Sequence, residues 1–569
     1  MLEIVLVLLL FLVLVIPMGT YLYHIASFEK TFCDPLFNKV DNVIYRLCDI
    51  DKKEMNWKAY FKSLVITNIT IMIIGFLILS IQHIGILNPN NVSGMKWDLS
   101  FNTVISFMTN TNLQHYAGES TLSYLSQMAV ITFMMFTAAA TGYAVCIAFI
   151  RGVVYKKETL GNFYVDVTRI TTRVLIPLAL IVGVLLVSQG VPQTFDATKT
   201  VTTIEGKMQD IPLGPIASLE SIKHIGTNGG GFLGANSSTP LENPTAISNI
   251  LEIISMMMLP GSCVVMFGLM VASRKKGDKK FKLEGKKQAR VIFAAMSVIF
   301  LVGLSVIFFS ESTANPYIDK IGINQAIGNM EGKEMRFGIA GSSLFTSVTT
   351  SFTTGSVNTM HDSLNPISGG VTLLNMMLNV VFGGKGVGLM NMITYVILTV
   401  FICSLMVGRT PEYLGKKIEE REMKLVATSI ILHPLLILGF TSLAVIIPAG
   451  FSAVSNPGFH GFSQILYEYA SSAANNGSGF EGLSDNTVFW NTTTAVVMFV
   501  GRYVSIAIQL AIAGSLSKKV FMDEGFGTLK TNNVTFTVVL IIIVMIFAGL
   551  TFLPALALGP ISEHLTLWF

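Results

Sequence analysis

Ten long apolar runs alternate with polar loops along this chain, each about as long as the 20 or so residues needed to cross a bilayer's hydrocarbon core. They lie near 2–24, 62–84, 124–150, 172–190, 246–272, 290–310, 371–407, 425–449, 488–514 and 533–557. The pattern predicts an all-α polytopic membrane protein of about ten transmembrane helices. The run at 371–407 is too long for one straight helix and is interrupted by Gly383-Gly384-Lys385-Gly386-Val387-Gly388, so it reads as a broken helix. The first run, Met1 to Tyr23, has neither a basic start nor a small-residue cleavage site and reads as an uncleaved span.

Loop charge orients these spans, because Lys and Arg collect on the cytoplasmic side. The stretches 151–173, 274–290 and 409–424 are basic: Arg151, Lys156, Lys157, Arg169 and Arg173; then Arg274, Lys275, Lys276, Lys279, Lys280, Lys282, Lys286, Lys287 and Arg290; then Arg409, Lys416, Lys417, Arg421 and Lys424. The stretch 450–487 has no Lys or Arg. Both termini are therefore expected outside. Of the 569 residues 51% are hydrophobic and 13% charged, with a net charge of +4, which excludes a soluble nucleic-acid binder. Cys33, Cys48, Cys146, Cys263 and Cys403 form no metal-ligand spacing and read as small apolar fillers.

The outer loops carry an internal repeat. Each holds a semi-apolar stretch, then a short polar run, then the next span. The runs are Thr109-Asn110-Thr111-Asn112, Thr227-Asn228-Gly229-Gly230, Thr353-Thr354-Gly355-Ser356 and Asn475-Asn476-Gly477-Ser478, spaced by 118, 126 and 122 residues. The reading is four tandem units of span, short re-entrant helix, polar segment and span. They occupy 60–150, 170–272, 288–408 (with the broken second helix) and 424–514, flanked by an extra helix at 1–24 and another at 533–557.

Such a repeat suits a dehydrated cation. Backbone carbonyls from four converging segments replace its water shell with strong dipoles of no net charge, so the ion binds yet leaves. Non-helical backbone at membrane depth is tolerated only where protein or a water-filled path surrounds it. The helices before each run would aim their carbonyl ends at the same point, which favours a cation. One Asn/Gly/Thr-rich loop alone reads as a surface turn; four in register between pairs of spans predict a potassium-selective pathway.

At these residues the chain resembles the potassium-binding A subunit family of the bacterial Kdp potassium-transporting ATPase. The stretches that carry the resemblance are Met108 to Gln114, Gly226 to Phe232 with Glu242-Asn243-Pro244-Thr245, Gly355 to Asp362, Val407 to Lys417 and Ser472 to Ser478. Two departures stand out: Leu113 replaces the family's usual tryptophan, and the third run lies where members vary before the glycine. The resemblance implies a fold shared with Trk, Ktr and HKT potassium transporters, and a multi-pass subunit of the bacterial cell membrane. It implies a potassium filter at Asn110, Thr111, Asn112, Thr227, Asn228, Gly229, Gly230, Thr353, Thr354, Gly355, Ser356, Asn475, Asn476, Gly477 and Ser478. Potassium is then the transported ion, passing into a lateral tunnel towards a P-type ATPase catalytic subunit. A single-span C subunit and a small single-span membrane peptide complete the implied assembly. Gln114 matches a glutamine near the filter's inner end linked to ion transfer, and Gly383, Gly384, Lys385, Gly386 and Gly388 match a break that blocks direct exit. Arg409 and Arg502 are implied contacts with the ATPase subunit.

The chain has no engine of its own. Every Gly-Lys pair is followed by Met, Lys, Glu or Gly, so no phosphate-binding loop occurs, and the D-K-T-G of P-type ATPases is absent. The chain is read as non-catalytic and as binding no nucleotide. The rival reading is a stand-alone Trk- or Ktr-like channel or symporter subunit. Lys385, an intramembrane charge, is expected to face the inner vestibule and repel cations. Arg502 is either a snorkelling helix-end residue or a partner contact. Glu119, Glu242, Asp362 and Glu468 form either a negative outer vestibule or solvated caps. His115, His361 and His460 lack carboxylate or cysteine company and are not read as metal ligands. The loop Arg274–Arg290 anchors to anionic membrane lipid, docks the ATPase subunit, or both.

Overall fold

The computed structural model describes residues 2–32, 34–84, 86–274, 279–522 and 529–568, with backbone alone for Lys279 and Lys280. Cys33, Lys275 and Lys276, named above, lie outside the described residues. Among the described residues, ten helices are long and apolar enough to cross a membrane: Leu2–Ala26, Trp57–Ile84, Tyr124–Val154, Phe163–Gln189, Ala246–Ala272, Phe281–Lys320, Val387–Met406, Glu420–Ile446, Val488–Leu516 and Val534–Trp568. The protein is thus a polytopic all-α membrane protein. Two small antiparallel hairpins, Lys199–Thr202 with Met208–Ile211 and Glu412–Tyr413 with Lys416–Lys417, interrupt the helices.

Burial sorts the spans into a hub and a rim. Tyr124–Val154 and Ala246–Ala272 bury 83% of their apolar windows, Val488–Leu516 67% and Val387–Met406 61%. Leu2–Ala26, Trp57–Ile84 and Val534–Trp568 bury 28% and Glu420–Ile446 only 22%. The hub helices are each the second span after a polar loop. The rim helices leave Val13, Ile73, Leu180, Val184 and Leu550 exposed, as a lipid-facing surface requires. Between helices, small residues set the close approach. A Cβ on Gly19 would lie 2.5 Å from Val265, and one on Gly261 would lie 2.6 Å from the Phe11 ring.

The long run splits as its length predicts, but earlier than its glycines. Helix Pro366–Leu378 ends at Asn379, whose φ is +46°, and helix Val387–Met406 begins only after Gly386. The connecting residues wedge into an aromatic cluster, with Phe352 stacked on Phe382 at 4.9 Å and Phe11 edge-on to both.

Both chain ends lie on the face from which four short helices enter. Glu3 Oε1 lies 3.4 Å from where a Cβ on Gly341 would sit, and Glu563 pairs with His460 Nδ1 at 2.8 Å. The opposite face holds the basic loops, and much of their charge is used internally. Arg151 forks onto Asp166 at 2.7 and 3.0 Å, and Arg173 bonds Asp34 at 3.0 Å and Asp41 at 2.5 Å. Lys416 donates to the carbonyls of Gly152 and Tyr155 at 3.0 and 2.7 Å, closing the end of Tyr124–Val154 where backbone donors run out. The stretch Val407–Lys417 is therefore a hairpin that caps a hub helix. Among the described cysteines, Cys146 and Cys263 are buried as read, whereas Cys48 is exposed.

The His460 contact anchors the C-terminal helix Ser562–Trp568. Burial opposes the imidazolium, but Asp362 and Glu563 on either side outweigh it and lift the group to about 10. A histidine raised on folding contributes its stability in full below its unfolded value of about 6.5 and loses it as pH climbs through the folded value. The protection of amides 562–568, measured relative to their intrinsic base-catalysed exchange, is expected to hold at pH 7 and fall towards pH 10, and His460→Gln is expected to remove that fall.

A ring where four short helices end

Four short helices, Trp97–Met108, Ile216–Ile225, Gly338–Ser351 and Phe459–Ala474, stop inside the protein rather than crossing it. All four end in the same turn. Asn110, Thr227, Thr353 and Asn475 have φ of +61, +45, +52 and +54°. The N–H of the following residue reaches back five positions: Thr111 to Ser106 O at 2.9 Å, Asn228 to Lys223 O at 2.8 Å, Thr354 to Thr349 O at 2.9 Å and Asn476 to Ser471 O at 2.9 Å. This left-handed cap satisfies the helix end and reverses the chain. Asparagine tolerates it; the β-branched Thr227 and Thr353 do not, and such backbone costs about 1–3 kcal/mol each.

The shared turn corrects the register. Asn110, not Thr109, is the partner of Thr227, Thr353 and Asn475, because Thr109 still bonds back to Ile105 O at 2.9 Å as the helix cap. The first segment is Asn110-Thr111-Asn112-Leu113, and the spacings become 117, 126 and 122.

From these turns the four segments meet. A Cβ on Gly229 would lie 2.3 Å from Thr354 O, one on Gly355 2.0 Å from Asn476 O, and one on Gly477 1.9 Å from Thr111 O. The second segment therefore abuts the third, the third the fourth, and the fourth the first. The remaining edge is closed by a side chain, Asn110 Nδ2 donating to Thr227 O at 2.8 Å. Asn475 Nδ2 donates to Thr111 Oγ1 at 2.9 Å and Asn476 Nδ2 to Thr349 O at 2.9 Å. Three segments rest on a hydroxyl or carbonyl six residues back: Asn112 N on Ser106 O (3.1 Å), Gly355 N on Thr349 Oγ1 (3.0 Å) and Gly477 N on Ser471 Oγ (2.9 Å).

Among the described residues, the carbonyls of Thr111, Asn112, Asn228, Gly229, Thr354, Gly355, Asn476 and Gly477 accept no protein hydrogen bond. These residues are buried, Gly477 half-buried. Backbone acceptors are rarely left so. A closed ring of unsatisfied carbonyls is what a dehydrated cation satisfies. Gly230, Ser356 and Ser478 follow as the next residue of their segments. Ser356 Oγ bonds His224 Nε2 at 3.0 Å, and Ser478 Oγ bonds Tyr467 OH at 2.9 Å.

Behind the second segment stands a charge cluster that sequence reading missed. Lys223 Nζ donates to Glu220 (2.7 Å), Glu242 (2.9 Å), Asn236 Oδ1 (2.6 Å) and Ser237 Oγ (2.9 Å), all of them buried. Glu242 Oε1 also receives Leu233 N at 2.7 Å. Glu252, within span Ala246–Ala272, lies 3.2 Å from His224 Nε2. The visible signal was the polar run Glu220 to His224 inside an otherwise apolar helix. This corrects the vestibule reading. Glu242 is neutralised by Lys223, Glu468 is buried against His115 at 3.0 Å, and Asp362 is held by His460 and Gln464. Glu119 alone of the four sits on the rim, accepting Gly234 N at 2.7 Å.

Gln114 also needs correction. The segments climb away from the helix ends, so a residue four beyond Asn110 lies at the far, entry-face end of the ring. There Gln114 pairs with Gly231, accepting its N–H at 2.8 Å and donating to its carbonyl at 3.0 Å.

The broken helix lies at the ring's other end. A Cβ on Gly384 would sit 3.5 Å from Thr227 Oγ1 and 3.8 Å from Thr353 O, and Gly383 packs on Gly388. A Cβ on Gly386 would meet Cys146 Sγ at 2.3 Å. Lys385, fully buried, donates to Asn110 O at 3.2 Å, and one flank of Gly142 touches both Lys385 and Arg502. Arg502 does not snorkel: it is 5% exposed and lines a cavity with Asn379, Asn391, His433, Asn475 and Gln509. Arg409 is exposed on the basic face.

A family described as the potassium-transporting ATPase A subunit matches residues 5–565. The chain is 59% identical over its whole length to the potassium-transporting ATPase potassium-binding subunit of Clostridium acetobutylicum, all of which is covered. It is 53% identical to the corresponding subunit 2 of Staphylococcus aureus strain Mu50, covering 99% of this chain and 100% of that one. The Geobacillus kaustophilus subunit is 53% identical, with 99% and 98% covered. Among solved structures, the potassium transporter TrkH of Vibrio parahaemolyticus superposes with a TM-score of 0.48 at 14% identity, covering 88% of this chain and 97% of that one.

Lys223→Met is expected to strand two buried carboxylates and lower stability by about 3–5 kcal/mol, read as a fall in melting temperature of the detergent-solubilised protein. Lys223→Met combined with Glu220→Gln and Glu242→Gln is expected to regain part of it.

Proposed function

This chain belongs to the potassium-transporting ATPase A subunit family, and from that premise we propose that it is the potassium-binding and translocating subunit of a high-affinity, ATP-driven uptake complex, its ring being the site that takes potassium from water. The observation that carries the reading is the closed set of buried carbonyls without donors, from Thr111, Asn228, Thr354, Asn476 and the residues after them. Carbonyl dipoles exchange for a hydration shell at little cost when the ion fits the ring, and their lack of net charge lets the ion leave again. The four units at 60–150, 170–272, 288–408 and 424–514 each supply one segment. The entry face, with both termini, is extracellular, and the basic face lies in the cytoplasm of a bacterial plasma membrane.

Below the ring, the path divides. Lys385 stands at Asn110 O with Arg502 close by. When protonated, these two basic side chains oppose a cation moving straight on, each unit charge at close range being worth several kcal/mol in a low-dielectric interior. The cavity beside them, of mixed lining with Asn379, Asn391, His433, Asn475 and Gln509 among apolar residues such as Met377, Ile506 and Phe552, offers a sideways route instead. We assign that route to delivery towards a P-type ATPase catalytic subunit, which binds and hydrolyses the nucleotide. A partner reaches Arg502 only through this cavity, whereas Arg409 is at the surface. A single-span C subunit and a small membrane peptide complete the assembly.

The purified complex is expected to hydrolyse ATP only when potassium is supplied; hydrolysis indifferent to potassium would end the reading. Gly355→Ala places a methyl against Asn476 O at a left-handed residue with φ +88°, and is expected to raise half-saturating potassium at least tenfold while the complex still assembles. Lys385→Ala is expected to let potassium leak through proteoliposomes without ATP, with potassium affinity at the ring little changed.

A further inference from the structure

His115 does have carboxylate company, drawn from the other end of the chain. Its Nε2 lies 3.0 Å from Glu468 Oε1 and 3.8 Å from Asp485 Oδ2, and one donor atom from each of the three residues falls within 4.8 Å of the others. The imidazole is held in one tautomer by a relay. The Asp98 carboxylate accepts from Asn491 Nδ2 at 2.8 Å, which turns Asn491 Oδ1 towards His115 Nδ1 at 2.7 Å. An amide oxygen only accepts, so Nδ1 carries the hydrogen and Nε2 faces the two carboxylates. A second partner on the far nitrogen is the arrangement that orients metal-binding histidines.

Charge points the same way. Asp98, Glu468 and His115 are buried, and no described Lys or Arg pairs with Asp98, Glu468 or Asp485. Even a charged His115 cannot balance both buried carboxylates, Asp98 and Glu468, with Asp485 beside them, and an unbalanced buried charge costs several kcal/mol. A divalent ion on a neutral imidazole balances them better than a proton does. Ligands at 2.0–2.2 Å in a tetrahedral shell stand about 3.3 Å apart, between the two distances seen. Asp485 is partly open to the entry face, with 26% of its side chain exposed, which gives an ion a way in. The other group with the same residue types, Glu220, His224 and Glu252, is sealed and has Lys223 beside it, whose ammonium repels a second cation.

We propose that His115, Glu468 and Asp485 form a binding site for a divalent transition metal of the zinc class at the outer rim of the ring, joining the loop after the first segment to the helix and loop of the fourth. The site stands whether or not the ring selects potassium, because its readout is metal binding. The metal-stripped, detergent-solubilised full-length protein, or its complex, is titrated with ZnCl2 by calorimetry and by thermal unfolding. One saturable zinc per chain and a rise in melting temperature are expected, with magnesium unable to compete. Asp485→Asn, at a partly exposed loop position, is expected to weaken zinc at least tenfold without loss of fold, and His115→Gln to abolish it. Absence of saturable binding in the wild type, equal binding by both variants, or displacement of zinc by equimolar magnesium would each overturn the site; the first would leave His115 bridging its carboxylates with a proton.

Discussion

Everything about the ring depends on one contact: the α-carbon of a glycine against the carbonyl oxygen of the next segment. At Gly229, Gly355 and Gly477 the space a Cβ would need is already taken by the neighbour's oxygen, at 2.3, 2.0 and 1.9 Å. All three glycines also have positive φ, so a side chain would pay in backbone strain as well as in collision. In the proposed function the tight contact gathers the carbonyls around one ion. Those oxygens lack backbone donors in part because the first N–H of every segment, and the next N–H of three, is spent on its own helix. The caps at Asn110, Thr227, Thr353 and Asn475 are what aim the segments there. Strain at two threonines is tolerable because the helices behind them are buried and fixed.

The buried cations act in two ways. Lys223 is matched by two carboxylates and two further oxygens, and so works as a strut, tying the second short helix to the loop that carries Glu242. Lys385 has one carbonyl and a like charge nearby. A charge that poorly compensated is costly inside a membrane protein and survives where its field is useful. In the proposed function that field belongs under the ring, where it turns an ion aside.

Spans and the broken helix were legible because hydropathy and glycine runs are local properties. Even so, helix Pro366–Leu378 stops at Asn379, before the first glycine, because asparagine adopts the left-handed turn unaided. Boundaries at Phe163 and Glu420 precede their apolar runs because the charged residues there are paired or lie in a capped first turn. The segments of the ring were legible as a repeat, yet off by one residue in the first unit. Thr109-Asn110-Thr111 looks like Thr227-Asn228-Gly229 in sequence, and only φ separates cap from helix end. The charge network was not legible, since Lys223 with Glu242, and His115 with Glu468 and Asp485, are pairings set by tertiary packing. The same blindness left the pairing of Glu242, Asp362 and Glu468 unseen, where the sequence offered only a vestibule or solvated caps.

The ring's departure from fourfold symmetry is where a single chain differs from an assembly of four copies. Three edges are backbone-on-backbone contacts built on glycine. The fourth, between the first and second segments, has Asn112 in the glycine position and is held by the Asn110 amide. Beneath it the asymmetry deepens: Lys385 bonds Asn110 O, Gly384 lies under Thr227 and Thr353, and the cavity opens beside Asn379 and Asn475. Identical subunits would repeat any plug or side passage four times, and would have to choose between an open axis and a closed one. In the proposed function, one chain with four unlike copies closes the axis from a single side and opens a single sideways route, which is the geometry an ion carrier needs if it is to hand its cargo to a neighbour instead of conducting it.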